Sequence, residues 1–428
     1  MHFKANPFRM RCISHTQDFV ECTIALPLSK SIVNRLLVIN SLSGGFAIDG
    51  LVPDSSDTVV MQNLLQEISN RSLSTTIFSE INVGNAGTVM RFLTALLAVT
   101  PGNWLITGTE RMQNRPVKPL TDALQNLGAN LSFTNISGFP PIKIIGNSQM
   151  KGGPVKLNAG ISSQFISALM MLGPILQGGI VIELQGEIIS ASYIRMTKSL
   201  MQKSGADVQF AGNTITIKEQ KYNDIDYFSI IEPDWSAAAF WYQVAAFTPD
   251  ARIILKGLSS ESVQGDSVLP AIYNELGISS IFTNEGLLLT KSDQLAVREF
   301  NFDFTECPDL AQAVIVTCAA LGIKGHFTGL KTLRVKETDR IEALRNELTK
   351  LGYGVDVIDN EMFLSGVIFI NKHDHTPVIV KCYDDHRMAM SFATLAILRD
   401  DICIEEPEVV KKSYPGFWDD LAKAGFAQ

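Results

Sequence analysis

The densest group of charged residues in the chain is the stretch from Leu333 to Ile341, which reads Leu-Arg-Val-Lys-Glu-Thr-Asp-Arg-Ile. Lys336 and Arg340 are four residues apart, so on a helix their side chains would share one face. Glu337 lies beside Lys336, and neighbouring cations would tune this carboxylate for proton transfer. The cations themselves could bind a phosphate or a carboxylate. A solvated helix start has the same composition, and the local sequence leaves both interpretations open.

Cations also follow polar residues at the beginnings of apolar helical segments. Ser29 is followed by Lys30, and Asp385 is followed by Arg387 within one helical turn. Ser and Asp are common helix caps, so capping alone could explain their position. A helix N-terminus already offers free N–H groups and positive potential, and an added cation there is better tolerated beside a bound anion. Several such openings in an acidic chain predict a small substrate with several negative charges.

The helix openings recur along the chain at regular distances. They begin at Ser29, Asn85, Ile161, Asp234, Asp309 and Asp385, and the last five lie 73 to 76 residues apart. With the β-rich stretches between them, this spacing predicts a strand–helix–strand–helix–strand unit used six times. Chance similarity of apolar helices is the alternative. Six units exceed one hydrophobic core, so we expect two domains of three units each, with the change near 231–234.

Composition and charge exclude several classes of protein. The 428 residues are 46% hydrophobic and 19% charged, which is a globular composition. A net charge of −8 disfavours nucleic-acid binding through a basic surface. No apolar stretch reaches the roughly 18 residues of a membrane-spanning helix, and the first residues lack the apolar segment of a signal peptide. We therefore expect neither a membrane nor a secreted protein.

Cysteine and histidine spacing predicts neither a disulfide framework nor a metal site. The six cysteines show no C-x-x-C pair, and the six histidines are scattered without an H-E-x-x-H motif. Six buried, reduced thiols are the expectation.

Taken in order, these residues resemble the family of 5-enolpyruvylshikimate-3-phosphate synthases, or 3-phosphoshikimate 1-carboxyvinyltransferases. The resemblance covers nearly the whole chain and is strongest at Arg334–Arg340 and Asp385–Met390. The other matching positions are Ser29-Lys30-Ser31 with Arg35, Asn85–Arg91, Arg115-Pro116, Ser162–Phe165, Ser190 with Tyr193, Pro308-Asp309, and Lys412 before Tyr-Pro.

The resemblance implies an α/β fold (α+β by layer) with two enolpyruvyl transferase-like domains. Each domain would contain three βαβαββ repeats with inward helices. The N-terminal strand would join the second half of the chain, which gives an N-terminal domain of 26–231 and a C-terminal domain of 1–25 and 232–428. The active site would lie in the cleft between the domains, and substrate binding would close it.

The resemblance also implies a reaction. The enolpyruvyl group of phosphoenolpyruvate would be transferred to the 5-hydroxyl of shikimate 3-phosphate, with loss of phosphate through a tetrahedral intermediate. Asp309 would accept the proton of the attacking hydroxyl. Glu337, possibly with Lys30, would handle the proton at C3. No metal and no organic cofactor would take part.

The family motifs assign the ligand contacts residue by residue. Phosphoenolpyruvate would be bound by Lys30, Gly87, Arg115, Gln164, Arg340, Arg387 and Lys412. Shikimate 3-phosphate would be bound by Lys30, Ser31, Arg35, Ser162, Ser163, Gln164, Ser190, Tyr193, Asp309 and Lys336. Within the second set, Ser31 and Arg35 would take the carboxylate, and Ser162, Ser163 and Ser190 the 3-phosphate.

The sequence departs from the family pattern at two positions. Leu28 stands where a glycine is usual, and this puts the backbone geometry beside Lys30 in question. Phe92 follows Arg91 where many members have proline, which could reshape the phosphoenolpyruvate site. No charged ligand residue is lost at either position.

Three other functions compete with this interpretation. A UDP-N-acetylglucosamine carboxyvinyltransferase would carry a loop cysteine near residues 111–115, but the chain has no cysteine between Cys22 and Cys307. An RNA 3′-phosphate cyclase would need a histidine that handles a nucleotide and a surface that binds a polynucleotide, and the acidic net charge gives no support for such a surface. A non-catalytic anion-binding protein would not need to keep Asp309 and Glu337. The expected protein is a cytoplasmic monomer of aromatic amino-acid biosynthesis, without nucleic-acid or membrane partners.

Overall fold

The computed structural model describes residues 10–71, 77–160, 162–294, 296–368, 377–400 and 402–427. Residues 1–9, predicted to join the C-terminal domain, and Ile161, the predicted start of the third helix opening, lie outside them. The chain divides into two compact units. We call Ser29–Ile231 the N-terminal unit, and Met1–Leu28 with Glu232–Gln428 the C-terminal unit.

The two units are built from short strands and medium-length helices. The described strands are β1 (Met10–His15), β2 (Phe19–Ala25), β3 (Ser79–Asn82), β4 (Gly102–Thr107), β5 (Asn130–Phe133), β6 (Ile142–Gly146), β7 (Lys151–Asn158), β8 (Gln177–Gln185), β9 (Val208–Ala211), β10 (Thr214–Ile217), β11 (Asp250–Lys256), β12 (Ile278–Thr283), β13 (Gly286–Lys291), β14 (Glu299–Asp303), β15 (Lys324–Thr328), β16 (Tyr353–Ile358), β17 (Glu361–Ile368), β18 (Val378–Val380), β19 (Ile402–Glu405) and β20 (Phe426–Ala427). The described helices are α1 (Lys30–Leu42), α2 (Ser56–Asn70), α3 (Gly87–Val99), α4 (Glu110–Gln113), α5 (Lys118–Asn126), α6 (Ser163–Leu172), α7 (Ala191–Lys203), α8 (Trp235–Phe247), α9 (Leu269–Glu275), α10 (Ala311–Ala320), α11 (Arg340–Lys350), α12 (His386–Ala393) and α13 (Phe417–Lys423).

One plan repeats in the five four-stranded sheets of the described residues. In the sheet β3-β4-β6-β5, the first two strands are parallel, and the other two form an antiparallel hairpin beside them. Helix α3 connects β3 to β4, and α5 lies between β4 and β5. The order is therefore βαβαββ, and the predicted α/β fold is confirmed.

The N-terminal unit contains two of these sheets, β3-β4-β6-β5 and β7-β8-β10-β9. Its first segment supplies α1 and α2, but residues 29–71 include no strand. The linker between the two helices has left-handed glycines at Gly44 and Gly50, with φ of 104° and 77°. Glycine, proline and aspartate in this linker disfavour a strand, so the first repeat differs here from the predicted unit.

The C-terminal unit contains three sheets and takes strands from both ends of the chain. β1 pairs with β19 and β20, and it completes the sheet that begins with β18. β2 runs parallel to β11 and supplies the first strand of the next sheet. β1 and β2 thus fill strand positions in two sheets whose other strands come from the second half of the chain.

The expectation of six buried, reduced cysteines is wrong for three of them, because Cys12 and Cys403 are oxidised and Cys22 is only half-buried. Cys12 and Cys403 are joined by a disulfide, whereas Cys22, Cys307, Cys318 and Cys382 are free. The antiparallel register of β1 and β19 places Cys12 directly opposite Cys403. Because the two residues are 391 positions apart, only the strand pairing could reveal their proximity.

The central helices are buried around most of their circumference, and this positions their first turns. All residues of α8 are buried, as are most residues of α3, α10 and α12. A helix buried on all sides is mostly apolar. Asp234 and Asp385 cap α8 and α12 by accepting backbone N–H bonds. None of the helices in the described ranges has the length and apolar character needed to cross a membrane.

Candidate active site

Arg340 joins three carboxylates in the C-terminal unit. Its Nη1 lies 2.9 Å from Asp309 Oδ1, its Nη2 lies 2.9 Å from Glu337 Oε2, and its Nε lies 2.7 Å from Asp385 Oδ2. The Arg340 side chain is only 1% exposed. A solvated helix start is therefore excluded for this residue. A planar guanidinium with five donors suits such a three-way contact.

Three further cations contact the same carboxylates. Lys336 Nζ lies 3.4 Å from Asp309 Oδ1, and Lys412 Nζ lies 3.0 Å from Glu337 Oε1. Arg387 Nη1 donates to the Asp309 backbone oxygen at 3.1 Å, and its Nη2 lies 3.5 Å from Asp309 Oδ2. We call these residues the charge cluster: Asp309, Lys336, Glu337, Arg340, Asp385, Arg387 and Lys412.

The residues of the charge cluster lie in the first turns of helices or in the short segments just before them. Asp309 belongs to a 3₁₀ turn before α10, and Arg387 lies in the first turn of α12. Helix α11 begins only at Arg340, so Lys336 and Glu337 precede it. The predicted shared helix face of Lys336 and Arg340 is therefore wrong. The two side chains meet because both contact Asp309.

Both arginines of the charge cluster stay charged despite their burial. Burial opposes the charge of Arg340, but Asp385, Glu337 and Asp309 outweigh it and raise the pKa of the guanidinium above its ordinary value. Burial likewise opposes the charge of Arg387, and Asp309 contributes most to the net rise of its pKa. The cluster therefore keeps two positively charged guanidinium groups that can bind an anion.

Asp266 is a buried carboxyl next to the charge cluster. It lies in a 3₁₀ turn and accepts a hydrogen bond from Ser236 Oγ. Burial raises its pKa to about 7, repulsion by Asp309 adds to the rise, and Arg387 opposes it. Sequence analysis missed Asp266, because a single aspartate between glycine and serine is typical of a turn.

The raised pKa of Asp266 predicts a pH-dependent stability. The folded state holds a proton that the unfolded state releases near the ordinary value, so the free energy of unfolding should fall from about pH 4 to about pH 7. Asp266→Asn stays uncharged and can still accept from Ser236. We expect it to gain at least about 1 kcal/mol relative to wild type between pH 5 and pH 8. Urea unfolding at both values measures this gain, and an equal difference at both would contradict it.

The N-terminal unit holds a second group of predicted residues. Lys30, the first residue of α1, has its Nζ 3.5 Å from Asp57 Oδ2. Gly87 begins α3, and a Cβ added there would lie 2.5 Å from Arg115 Nη1. Gln164 Nε2 donates to Thr88 Oγ1 at 3.0 Å, which ties the start of α6 to the start of α3. Gly87, Arg115 and Gln164 are thus brought together, as one ligand site requires.

Arg35 lies inside the N-terminal unit. Its Nε donates to Thr197 Oγ1 at 2.7 Å, its Nη1 to the Ser31 backbone oxygen at 2.8 Å, and its Nη2 to Ser167 Oγ at 3.2 Å. Burial lowers the pKa of Arg35 to about 10. Sequence analysis missed Ser167 and Thr197, because single hydroxyls within apolar helices carry no distinctive pattern.

Aromatic rings cover the Arg35 guanidinium. Its Cζ lies 5.3 Å from the ring centre of Phe92 and 5.7 Å from that of Tyr193. Phe92, one of the two departures from the family pattern, is fully buried and packs against Arg35. These cation–π contacts help to orient the Arg35 guanidinium.

The predicted phosphate-binding serines lie at two helix starts. Ser162 caps α6, where its Oγ accepts from the Gln164 backbone N–H at 3.3 Å, and Ser163 is the first residue of that helix. Ser190 precedes α7 with a left-handed φ of 57°. Free N–H groups and hydroxyls at a helix start suit a phosphate.

Leu28, the second departure from the family pattern, does not need a glycine backbone. Its φ is outside the left-handed region, and it forms an antiparallel β-bridge with Pro233. The Asp234 N–H donates to the Pro27 oxygen at 2.8 Å beside this bridge. A leucine is therefore accommodated without backbone strain.

Comparison with known proteins places the chain in a family. The family model for EPSP synthase (3-phosphoshikimate 1-carboxyvinyltransferase) matches residues 15–421. The chain belongs to the EPSP synthase family. A 3-phosphoshikimate 1-carboxyvinyltransferase of Bacteroides fragilis is 44% identical over 97% of this chain and 98% of its own length. One from Methanospirillum hungatei is 34% identical over 93% of this chain and 94% of its own.

The fold agrees with solved structures of the EPSP synthase family. The Acinetobacter baumannii EPSP synthase aligns with a TM-score of 0.73 over 98% of this chain and 100% of that chain, at 21% identity. The family model and the curated relatives confirm the recognition of the family from its motifs. At this identity the structural match establishes the shared fold only.

Proposed function

We propose that this chain transfers the enolpyruvyl group of phosphoenolpyruvate to the 5-hydroxyl of shikimate 3-phosphate and releases phosphate. This is the shikimate-pathway reaction of aromatic amino-acid biosynthesis, and the chain's family membership supports it. The observation that carries the proposal is the contact of Arg340 with both Asp309 and Glu337. This contact supports the proposal, because it brings the two carboxylates assigned to proton transfer together beside one cation.

The two carboxylates are assigned to the two proton transfers of the reaction. Asp309 takes the proton of the 5-hydroxyl while the hydroxyl oxygen bonds to C2 of phosphoenolpyruvate. Glu337, possibly with Lys30, supplies a proton to C3, and a tetrahedral intermediate results. C3 then returns a proton to Glu337, and the bond from C2 to the phosphate oxygen breaks. The departing phosphate takes up the proton that Asp309 removed from the 5-hydroxyl. Each carboxylate lies within contact of cations that can hold the reacting anion.

The cations are assigned to the phosphate and carboxylate of phosphoenolpyruvate. Arg340, Arg387 and Lys412 are paired with carboxylates inside the charge cluster. A bound phosphate or carboxylate can replace some of these contacts, so that each cation keeps an anionic partner. This limits the free-energy cost of burying the charges. Lys30, Gly87, Arg115 and Gln164 are the proposed contacts from the N-terminal unit.

The proposed contacts of shikimate 3-phosphate also come from both units. Ser31 and Arg35 would take the carboxylate, and Ser162, Ser163 and Ser190 the phosphate. The remaining contacts are Lys30, Gln164, Tyr193, Asp309 and Lys336. The predicted interdomain cleft, and its closure on substrate binding, stay predictions from the sequence.

We also infer a cytoplasmic monomer without a nucleic-acid or membrane partner and without a metal or organic cofactor. The acidic net charge supports the absence of nucleic-acid binding. The Cys12–Cys403 disulfide is unusual for a reducing compartment and speaks against the inferred location. Light scattering on the purified protein would measure its molar mass, and a dimer mass would contradict the monomer.

Phosphate release tests the proposed reaction. Purified protein is mixed with both substrates, with each substrate alone, and with UDP-N-acetylglucosamine in place of shikimate 3-phosphate. Release that needs phosphoenolpyruvate and shikimate 3-phosphate together supports the proposal. Release with phosphoenolpyruvate and UDP-N-acetylglucosamine, but not with phosphoenolpyruvate and shikimate 3-phosphate, would assign the chain to the related transferase. Substrate-dependent thermal stabilisation without any release would indicate an anion-binding protein.

The close approach of Arg115 to Gly87 predicts the effect of one added methyl group. Gly87→Ala would place a Cβ 2.5 Å from Arg115 Nη1, so the guanidinium must move. We expect the KM for phosphoenolpyruvate to rise about tenfold or more, because a displacement of about 1 Å is costly in a preorganised site. The KM for shikimate 3-phosphate should change little.

A matched glycine provides the control for Gly87→Ala. Gly416 has room for a Cβ, with the nearest atom of Asp420 at 3.8 Å. Gly416→Ala should leave both KM values unchanged. Equal behaviour of the two variants in steady-state kinetics would contradict the assigned role of Gly87.

A further inference from the structure

A left-handed turn precedes Asp385 of the charge cluster. Tyr383 and Asp384 have φ values of 54° and 55°, and the Asp385 N–H donates to the Cys382 oxygen at 2.9 Å. Positive φ at both central residues is the type I′ arrangement, which strongly favours asparagine, aspartate and glycine. Within the described parts of the chain, these are the only two adjacent non-glycine residues with positive φ. A tyrosine in this position is strained.

The strained turn sets the direction in which Asp385 enters the site. Asp385 Oδ1 accepts from the Arg387 backbone N–H at 2.9 Å, and Oδ2 accepts from Arg340 Nε at 2.7 Å. The Asp385 carboxylate therefore contacts two residues of the charge cluster: the side chain of Arg340 and the backbone N–H of Arg387. A change in the turn would move both contacts.

A buried carboxylate on α11 holds this turn. Glu347, 1% exposed, accepts from the Tyr383 hydroxyl at 2.8 Å through Oε1. Its Oε2 accepts from the Lys381 backbone N–H at 3.2 Å and from Lys350 Nζ. Burial raises the pKa of Tyr383 to about 12, and Glu347 adds to the rise, so the hydroxyl remains a donor.

Helix α11 thereby holds the turn segment at two places. Arg340, its first residue, binds Asp385, and Glu347, about two helical turns later, binds Tyr383. The strain of the turn is maintained against relaxation by this second contact. Strained residues persist only where the surrounding structure over-determines them, and they concentrate at functional sites.

We propose that Glu347 and Tyr383 are positioning residues of the active site: their hydrogen bond holds the left-handed turn Cys382–Asp385 in the conformation that places Asp385 on Arg340. This inference rests on the proposed function, in which Arg340 binds phosphoenolpyruvate. Neither residue touches a substrate in the proposed reaction.

Tyr383→Phe tests the proposal because it removes only the hydroxyl. We expect the KM for phosphoenolpyruvate to rise about tenfold, the effect of one lost hydrogen bond to a charged group. The KM for shikimate 3-phosphate and kcat should change by less than about threefold, since Arg340 keeps its contacts with Asp309 and Glu337. Unchanged KM for phosphoenolpyruvate, or an equal rise for both substrates, would overturn the proposal.

Two further variants separate positioning from general stability. Tyr273→Phe removes a buried hydroxyl contact of 2.9 Å with Thr317 and should leave both KM values unchanged. Tyr383→Gly removes the same hydroxyl but also the strain, since glycine readily adopts positive φ. This variant should keep most of the affinity for phosphoenolpyruvate that Tyr383→Phe loses. An equal loss of affinity in the two variants would overturn the strained-turn argument.

A crystal structure of Tyr383→Phe tests the positioning independently of turnover. We expect Asp385 Oδ2 to leave its position 2.7 Å from Arg340 Nε. An unchanged contact and turn would overturn the proposal. Wild-type protein that releases no phosphate would instead refute the proposed function, and the structure would still decide the positioning role.

Discussion

Asp309→Asn is expected to lower kcat by about 10³-fold while shikimate 3-phosphate still binds. Asparagine keeps the size of the side chain, but it cannot accept the proton of the attacking hydroxyl, and positioned proton transfer contributes about 10²- to 10⁴-fold. Arg340, Lys336 and Arg387 each lose one anionic partner, so the fold should be weakened as well. Phosphate release measures kcat, and calorimetry measures binding.

Asp122→Asn is the matched control for this variant. Asp122 pairs with Lys118 at 2.8 Å on the surface of the N-terminal unit, and both side chains are about half exposed. Such pairs contribute little, so activity and stability should stay at wild-type levels. A kcat of Asp309→Asn within tenfold of wild type would refute its role as the base.

Arg340→Met is expected to cause the largest loss of stability among the site variants, about 3–5 kcal/mol. The substitution leaves Asp309, Glu337 and Asp385 without their shared cation in a buried environment. The uncompensated charges, rather than lost packing, cause the effect, because methionine fills much of the same volume. Activity should be lost entirely, since the two proton-transfer groups are no longer held together.

Arg334→Met provides the control from the same segment. Arg334 pairs with Asp339 at 2.8 Å and also donates to Asn360 Oδ1 and the Asp359 backbone oxygen, but its side chain is 31% exposed. Its loss should cost about 1–2 kcal/mol in urea unfolding, clearly less than the loss of Arg340. If Arg340→Met were as stable as Arg334→Met, the charge cluster would not be the buried network described above.

The repeat plan was predictable because each helix opening leaves a local pattern. Polar caps followed by apolar runs identified the starts of α3, α8, α10 and α12 within a few residues. The first segment could not be assigned in this way, since α1 and α2 have the helix pattern but no paired strands. Strand pairing depends on partners elsewhere in the chain, as the contact of β1 with β19 illustrates.

The charged residues of the site were predictable by type, but their contacts were not. Lys336, Glu337 and Arg340 were apparent from their density, whereas the bond from Arg340 to Asp385 spans 45 residues. Glu347 and Asp266 carried no signal, because a glutamate on a helix and an aspartate in a turn are ordinary. Their burial gives them importance, and burial follows from tertiary packing rather than from local sequence.

The most direct test of the proposed reaction follows the bridging oxygen of phosphoenolpyruvate. The substrate is labelled with ¹⁸O between C2 and phosphorus and incubated with the protein and shikimate 3-phosphate, and released phosphate is examined by ³¹P NMR. Attack of the 5-hydroxyl at C2 gives the tetrahedral intermediate, and loss of phosphate from it breaks the carbon–oxygen bond. The label should therefore appear in phosphate, together with a new enol ether product. Label retained in pyruvate, with unlabelled phosphate, would show phosphorus–oxygen cleavage and contradict enolpyruvyl transfer.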